Sequence, residues 1–244
     1  MQSRRDFVKN ISLAGTAVSL LPNADPISTK ANYRILFQGD SITDGNRTRN
    51  NDWNHVMGHG YAYIASSKLW YDHPNESLQI FNRGISGNTV GDLQKRWQDD
   101  TIALEPTILS VLIGINDVYA LLNGYGEPIT KFEERYRSLL AETTVKIPEI
   151  KLILMEPFIL PVGQVLKEYD RWKEPTLARA AIVKNLAKEF KAVFIPLQYL
   201  FDAALNRAAA NYWIWDGIHP MPAGHELIAR AWLKAAKPLL PFIK

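Results

Sequence analysis

The sequence runs to 244 residues, of which 47% are hydrophobic and 22% charged, with a formal net charge of +3. That balance suits one globular domain with a sizeable core and excludes a chain disordered by composition. Cysteine is absent, which removes thiol catalysis, disulfides and cysteine-ligated metals from the available chemistry.

In chain order, Ser3-Arg4-Arg5-Asp6-Phe7-Val8-Lys9 resembles a twin-arginine export signal. The weakly apolar run from Ile11 to Leu21 is shorter than the about 20 apolar residues that span a bilayer. It fits the central region of a signal peptide. The expectation is a signal over residues 1–24, cleaved close to Ala24, and a single domain over residues 25–244 that works in the periplasm or outside the cell. No later segment has the hydrophobicity to hold the chain in a membrane. Loss of residues 1–24 removes three of the 28 basic and one of the 25 acidic residues, leaving 25 against 24. No dense basic stretch remains, so a nucleic-acid partner has no electrostatic support.

Short β-rich runs then alternate with helical patterns. Tyr33–Gln38, Leu78–Asn82, Thr107–Ile113, Lys151–Glu156 and Ala192–Ile195 read as five strands. Gly60–Tyr71, Lys131–Val145 and Leu177–Phe190 carry apolar residues at helical spacing, and Ala223–Ala236 reads as a last helix ended by Pro238 and Pro241. Alternation of this kind predicts an α/β domain, a parallel sheet covered on both faces. Ligands of such sheets bind beyond the carboxyl ends of the strands.

Three polar, glycine-bearing turns fall at that edge. Gly39-Asp40-Ser41-Ile42-Thr43 follows the first strand, Asn82-Arg83-Gly84 the second and Gly114-Ile115-Asn116-Asp117 the third. Ser41 in a strand-to-helix turn is a candidate nucleophile, and it needs a base. Taken alone, Gly-Asp-Ser is more commonly a turn with a capping serine. His219 is the preferred base, because neutral imidazole can take a hydroxyl proton near neutral pH. Asp216, three residues earlier, is spaced to bind the other ring nitrogen and stabilise imidazolium. Without Ser41, the same Asp-x-x-His reads as a helix-entry turn. His225 competes for the base role but has no acid at comparable spacing. The Ser41 N–H, the Gly84 N–H and the Asn116 side-chain amide are candidate oxyanion donors. Asp40 fixes the turn through side-chain bonds to backbone. It also stands with Trp53, Asn88 and Trp215 as a candidate for substrate binding. No HExxH-type spacing points to a metal, and no cofactor motif is present.

At these residues the sequence resembles the GDSL family, also called SGNH hydrolases. Ser41, Gly84, Asn116 and His219 match the four name-giving positions in order, and Asp216 matches the acid of the family's Asp-x-x-His block. The first block here, Gly-Asp-Ser-Ile-Thr, lacks the leucine of the family name, an apolar-for-apolar change. The resemblance covers about Tyr33 to Lys234. It implies a flavodoxin-like three-layer α/β/α sandwich on a five-stranded parallel sheet, and ester hydrolysis without metal or cofactor.

The stretches Asn82-Arg83-Gly84-Ile85-Ser86-Gly87-Asn88-Thr89, Gly114-Ile115-Asn116-Asp117-Val118 and Trp215-Asp216-Gly217-Ile218-His219-Pro220 are similar to bacterial acetyl xylan esterases of that family. This implies an acetylated carbohydrate, such as plant cell-wall xylan, as the substrate. The polar loop over residues 44–58 agrees with a hydrated sugar ester, and the tryptophans beside the motifs read equally as sugar-stacking faces or as ordinary core and rim packing. Three other readings compete. One is a lysophospholipase or thioesterase on the same three residues, one a non-catalytic glycan-binding protein, and one a metal-dependent deacetylase. The sequence does not set the oligomeric state, although a homo-oligomer is compatible with it.

Overall fold

The computed structural model describes residues 33–50, 52 and 54–243. The twin-arginine-like stretch, the signal boundary and Trp53 lie outside them. Five strands form one sheet: β1 (Tyr33–Gly39), β2 (Leu78–Asn82), β3 (Ile108–Leu112), β4 (Lys151–Met155) and β5 (Val193–Ile195). All four pairings are parallel, in the order β2-β1-β3-β4-β5. The chain therefore leaves β1 towards one neighbour and later returns to the other, which makes the carboxyl end of β1 a topological switch point.

Ten helices surround the sheet among the described residues: α1 (Ser41–Asp44), α2 (Tyr61–Asp72), α3 (Val90–Asp100), α4 (Ile115–Leu122), α5 (Ile129–Lys146), α6 (Gly163–Leu166), α7 (Tyr169–Glu189), α8 (Leu197–Ala204), α9 (Ala210–Trp213) and α10 (Pro222–Ala236). Strand side chains alternate between two cores. Ile35, Phe37, Ile108 and Ile153 pack with α2, α8 and α10, whereas Leu36, Leu109, Leu152 and Leu154 pack with α3, α5 and α7. The strands are short and almost wholly apolar because both faces are covered. This is the expected three-layer α/β/α arrangement.

Helix α7 starts at Tyr169, eight residues before the expected Leu177. Pro175 reads in sequence as a breaker, but it lies within the first two turns of α7. There its missing N–H removes one hydrogen bond and the helix continues on its buried face, through Trp172, Thr176 and Arg179. No helix among the described residues is long and apolar enough to cross a membrane.

Candidate active site

Ser41 opens α1 directly after β1. Helix α1 has only four residues, too few to hold itself, so it is fixed from outside. The Asp40 carboxylate caps it by accepting the Ile42 N–H at 3.0 Å. The Asn82 amide, at the end of β2, donates to the carbonyls of Thr43 at 2.7 Å and Asp44 at 3.3 Å, and to Met57 at 3.0 Å. Thr43 Oγ1 lies 2.9 Å from the Tyr61 hydroxyl. As the first helical residue, Ser41 has a backbone N–H with no partner inside the helix.

Asp216 and His219 sit on the loop between α9 and α10. An antiparallel bridge between Ile214 and Pro220 closes its base, with Met221 N–H donating to the Trp213 carbonyl at 2.8 Å. Asp216 Oδ1 accepts the backbone N–H groups of Ile218 at 2.9 Å and His219 at 2.7 Å. Its Oδ2 takes His219 Nδ1 at 2.6 Å, and His219 Nε2 lies 2.8 Å from Ser41 Oγ. Asp216 has no proton to offer, so Nδ1 is the donor, and Nε2 then accepts from the Ser41 hydroxyl. Burial would raise the Asp216 carboxyl, but the hydrogen bonds from the His219 ring and from two backbone N–H groups outweigh it and hold the group below the usual range. The hydrogen bond to Asp216 pushes His219 above 6.5 against the opposing effect of burial. Ser41, His219 and Asp216 thus form one unbroken hydrogen-bond chain, drawn from opposite ends of the sequence.

Asn116 is the second residue of α4. Its side-chain N–H₂ donates to the Asn88 carbonyl at 3.1 Å, which orients the amide and leaves its second hydrogen free. Gly84 departs from expectation. Its N–H donates to Asn82 Oδ1 at 2.9 Å, and its carbonyl accepts Arg47 Nε at 2.9 Å. Both polar groups are engaged inside the protein, so Gly84 is not free to hold an oxyanion. A glycine is needed there because a Cβ would collide with the Asp44 backbone nitrogen. Gly87, three residues on, has the exposed position instead. Its φ is +83°, a Cβ would meet nothing within 4 Å, and no described acceptor takes its N–H. The signal was present in the sequence. An asparagine two residues before Gly84 closes an Asx turn on the Gly84 N–H, and Gly87-Asn88 marks the turn's tip.

Two further candidates have other work. Asp40 is 1% exposed and engaged as the α1 cap, so its carboxylate does not face a substrate. Burial pushes it up to about 7. Asn88 gives its side-chain oxygen to Arg96 Nε at 2.8 Å and its carbonyl to Asn116, so both its acceptors serve the site's frame. Trp215 remains available: it is 59% exposed, and its ring stacks beside His219 with centroids 6.1 Å apart and planes 25° from parallel. His225 is not a base for Ser41, because its Nδ1 accepts the Tyr61 N–H at 3.2 Å. Among the described residues, no three His, Asp or Glu side chains converge as metal ligands.

Residues 37–227 match the model of the GDSL-like Lipase/Acylhydrolase family. The chain belongs to this family. It is similar to an acetylxylan esterase of Geobacillus stearothermophilus, with 35% identity over 218 residues that cover 82% of this chain and 92% of the relative. A crystal structure of an acetylxylan esterase from the same organism superposes with a TM-score of 0.75 at 33% identity, covering 85% of this chain and 95% of the other. A Parabacteroides merdae protein named as a GDSL-like lipase superposes with a TM-score of 0.80 at 38% identity, covering 86% and 97%. As a GDSL hydrolase with an esterase relative at this identity, the protein is a carboxylic ester hydrolase.

Proposed function

We propose that this esterase removes O-acetyl groups from carbohydrate, with acetylated xylan or its oligosaccharides as the leading substrate class. The hydrogen-bond chain Ser41 Oγ to His219 Nε2 at 2.8 Å and His219 Nδ1 to Asp216 at 2.6 Å carries the mechanism. His219 takes the Ser41 proton as Oγ bonds to the acetyl carbonyl carbon. The oxyanion is held by the N–H groups of Ser41 and Gly87 and by the free hydrogen of the Asn116 amide. The carbon–oxygen bond to the sugar then breaks, and His219 returns the proton to the leaving sugar oxygen. His219 next deprotonates a water molecule, which attacks acetyl-Ser41. Collapse of this second intermediate frees acetate and restores Ser41.

The acetyl carbohydrate reading draws on the relatives' names, one of which is an acetyl-xylooligosaccharide esterase, and on the exposed Trp215 face beside His219. The twin-arginine-like N-terminus supports action outside the cytoplasm. The test compares acetate release from acetylated xylan, pectin, mannan and sialic acid, with an acyl-chain-length series on p-nitrophenyl esters alongside. Acetylated xylan is expected to lead, and the Ser41→Ala protein is expected to be folded and inactive. A preference for octanoyl or longer chains would overturn the acetyl reading, and turnover by Ser41→Ala would overturn the mechanism.

A further inference from the structure

Helix α2 begins at Tyr61 with an N-terminus that its own sequence does not cap. The residue before it is Gly60, which has no side chain to accept a helical N–H. The acceptor comes from 164 residues away: His225 Nδ1 takes the Tyr61 N–H at 3.2 Å. Gly60 leaves the space for this approach, since a Cβ there would stand 3.1 Å from the His225 ring and 3.2 Å from the Ile42 carbonyl. His225 lies in the first turn of α10, six residues beyond His219, and is 8% exposed.

Nδ1 can accept only if it carries no proton, so the ring works in its neutral form with hydrogen on Nε2. The surroundings favour that form. Burial first, and then the neighbouring His59 and His219, push His225 down to about 4.

Tyr61 continues the connection at its other end. Its ring is fully buried edge-on to Phe37 of β1, and its hydroxyl lies 2.9 Å from Thr43 Oγ1 in α1. One buried residue therefore touches both halves of the site. Its backbone is held by the helix that follows the His219 loop, and its side chain holds the helix that carries Ser41.

We propose that His225 is a positioning residue: by capping Tyr61 it sets the place of the Asp216–His219 loop relative to Ser41. This rests on Ser41 and His219 being the reacting pair. Placement at that level matters to rate, because an error of about 1 Å in a reacting pair can cost roughly 10²-fold.

Two substitutions of nearly equal shape isolate the hydrogen bond. In asparagine, Oδ1 stands two bonds from Cβ, as Nδ1 does in histidine, so His225→Asn keeps an acceptor. His225→Leu puts a methyl group there. Hydrolysis of p-nitrophenyl acetate is measured per active site titrated with a fluorophosphonate, so misfolded protein does not count. His225→Leu is expected to lower kcat roughly tenfold or more with KM changed less than about twofold, and His225→Asn to recover most of the loss. Normal kcat per titrated site in the Leu protein overturns the proposal, even if its melting temperature falls, because that outcome describes a role in folding alone. Equal kcat loss in the two variants overturns it too. If His225→Leu leaves no titratable protein, the comparison of His225→Asn with wild type decides: kcat within about threefold supports the proposal, and a larger loss overturns it. Ser41→Ala, measured per milligram of folded protein because it has no serine to titrate, separates failure here from failure of the catalytic reading, since only the latter leaves that control active.

Discussion

The Gly84 N–H is spent on Asn82 Oδ1, two residues back, at 2.9 Å. Asn82 thereby joins the loop after β2 to the nucleophile helix, because its amide nitrogen also binds the carbonyls of Thr43, Asp44 and Met57. Removing this one buried side chain leaves three backbone groups without it, the Gly84 N–H and the Thr43 and Met57 carbonyls, while the Asp44 carbonyl keeps the Arg47 N–H at 3.1 Å. Buried polar groups so orphaned cost about 1–3 kcal/mol each when no water reaches them. Asn82→Ala is expected to destabilise the fold by about 2–5 kcal/mol. Asn82→Asp keeps the Gly84 bond but sets a buried, acceptor-only carboxylate oxygen against the carbonyls that shared the two amide hydrogens, and it is expected to be at least as destabilising as Ala near neutral pH. Denaturant titration checks both, and an Ala variant as stable as wild type would remove the argument.

Asn116 stands differently, since its amide makes one bond, to the Asn88 carbonyl. Its second hydrogen is the one assigned to the oxyanion. Asn116→Ala is therefore expected to fold normally and to lose roughly 10²–10³ in kcat with little change in KM. Gly87→Ala tests the neighbouring donor through its backbone. At φ +83° an L side chain is strained by about 1–2 kcal/mol, although no atom obstructs it. Stopped-flow acylation rates on both variants give the reading, and an Asn116→Ala enzyme of wild-type rate would take Asn116 out of the oxyanion site.

The frame of the molecule was legible in the sequence because its strands are short apolar runs closed by polar turns. Leu78–Asn82 agrees residue for residue, and the other four strands agree to within one residue at each end. The hydrogen-bond chain of Ser41, His219 and Asp216 was legible for a different reason: Asp216 and His219 are near in sequence, and only Ser41 had to be brought in by the fold. Helix α3 was missed although its capping box is plain. Thr89 and Asp92 exchange bonds of 3.3 and 3.0 Å across its first turn, but Gly91 and a mostly charged face hide the period. The choice between Gly84 and Gly87 needed the Asx turn at Asn82, a local side-chain bond that apolar periodicity does not register. The role of His225 was not legible at all, since its partner is a backbone N–H on another helix.

The pH profile follows from the Asp216 bond to His219. Reaction requires a bare Nε2, so activity falls as pH drops through the pKa of His219, which that bond raises above 6.5. The acid limb of kcat/KM is expected above 6.5. Stability moves the other way. A histidine whose folded pKa is raised contributes fully below its unfolded value and loses that contribution as pH rises through the folded one. Asp216→Asn is expected to move the limb to lower pH and to cost roughly 10⁴-fold in kcat, because the amide hydrogens face Nδ1 and force the proton onto Nε2. A limb unmoved by the substitution would mean that another group sets it.

Trp215 separates the sugar from the ester. Its exposed ring lies beside His219, whose Nε2 is bonded to Ser41 Oγ, so under the proposed function it would meet the sugar while the ester reacts at Ser41. Stacking of a sugar on an aromatic face is comparable to an aromatic pair, about 0.5–1.5 kcal/mol, or roughly 2–10-fold in binding. Trp215→Ala is expected to raise KM for acetylated xylo-oligosaccharides by that factor and to leave p-nitrophenyl acetate hydrolysis within about twofold of wild type. The pair of substrates matters because Trp215 also packs against the imidazole. A ring that served mainly to orient His219 would lower kcat equally on both esters. Loss confined to the oligosaccharide assigns the ring to the substrate, and equal loss on both would transfer it to the catalytic frame.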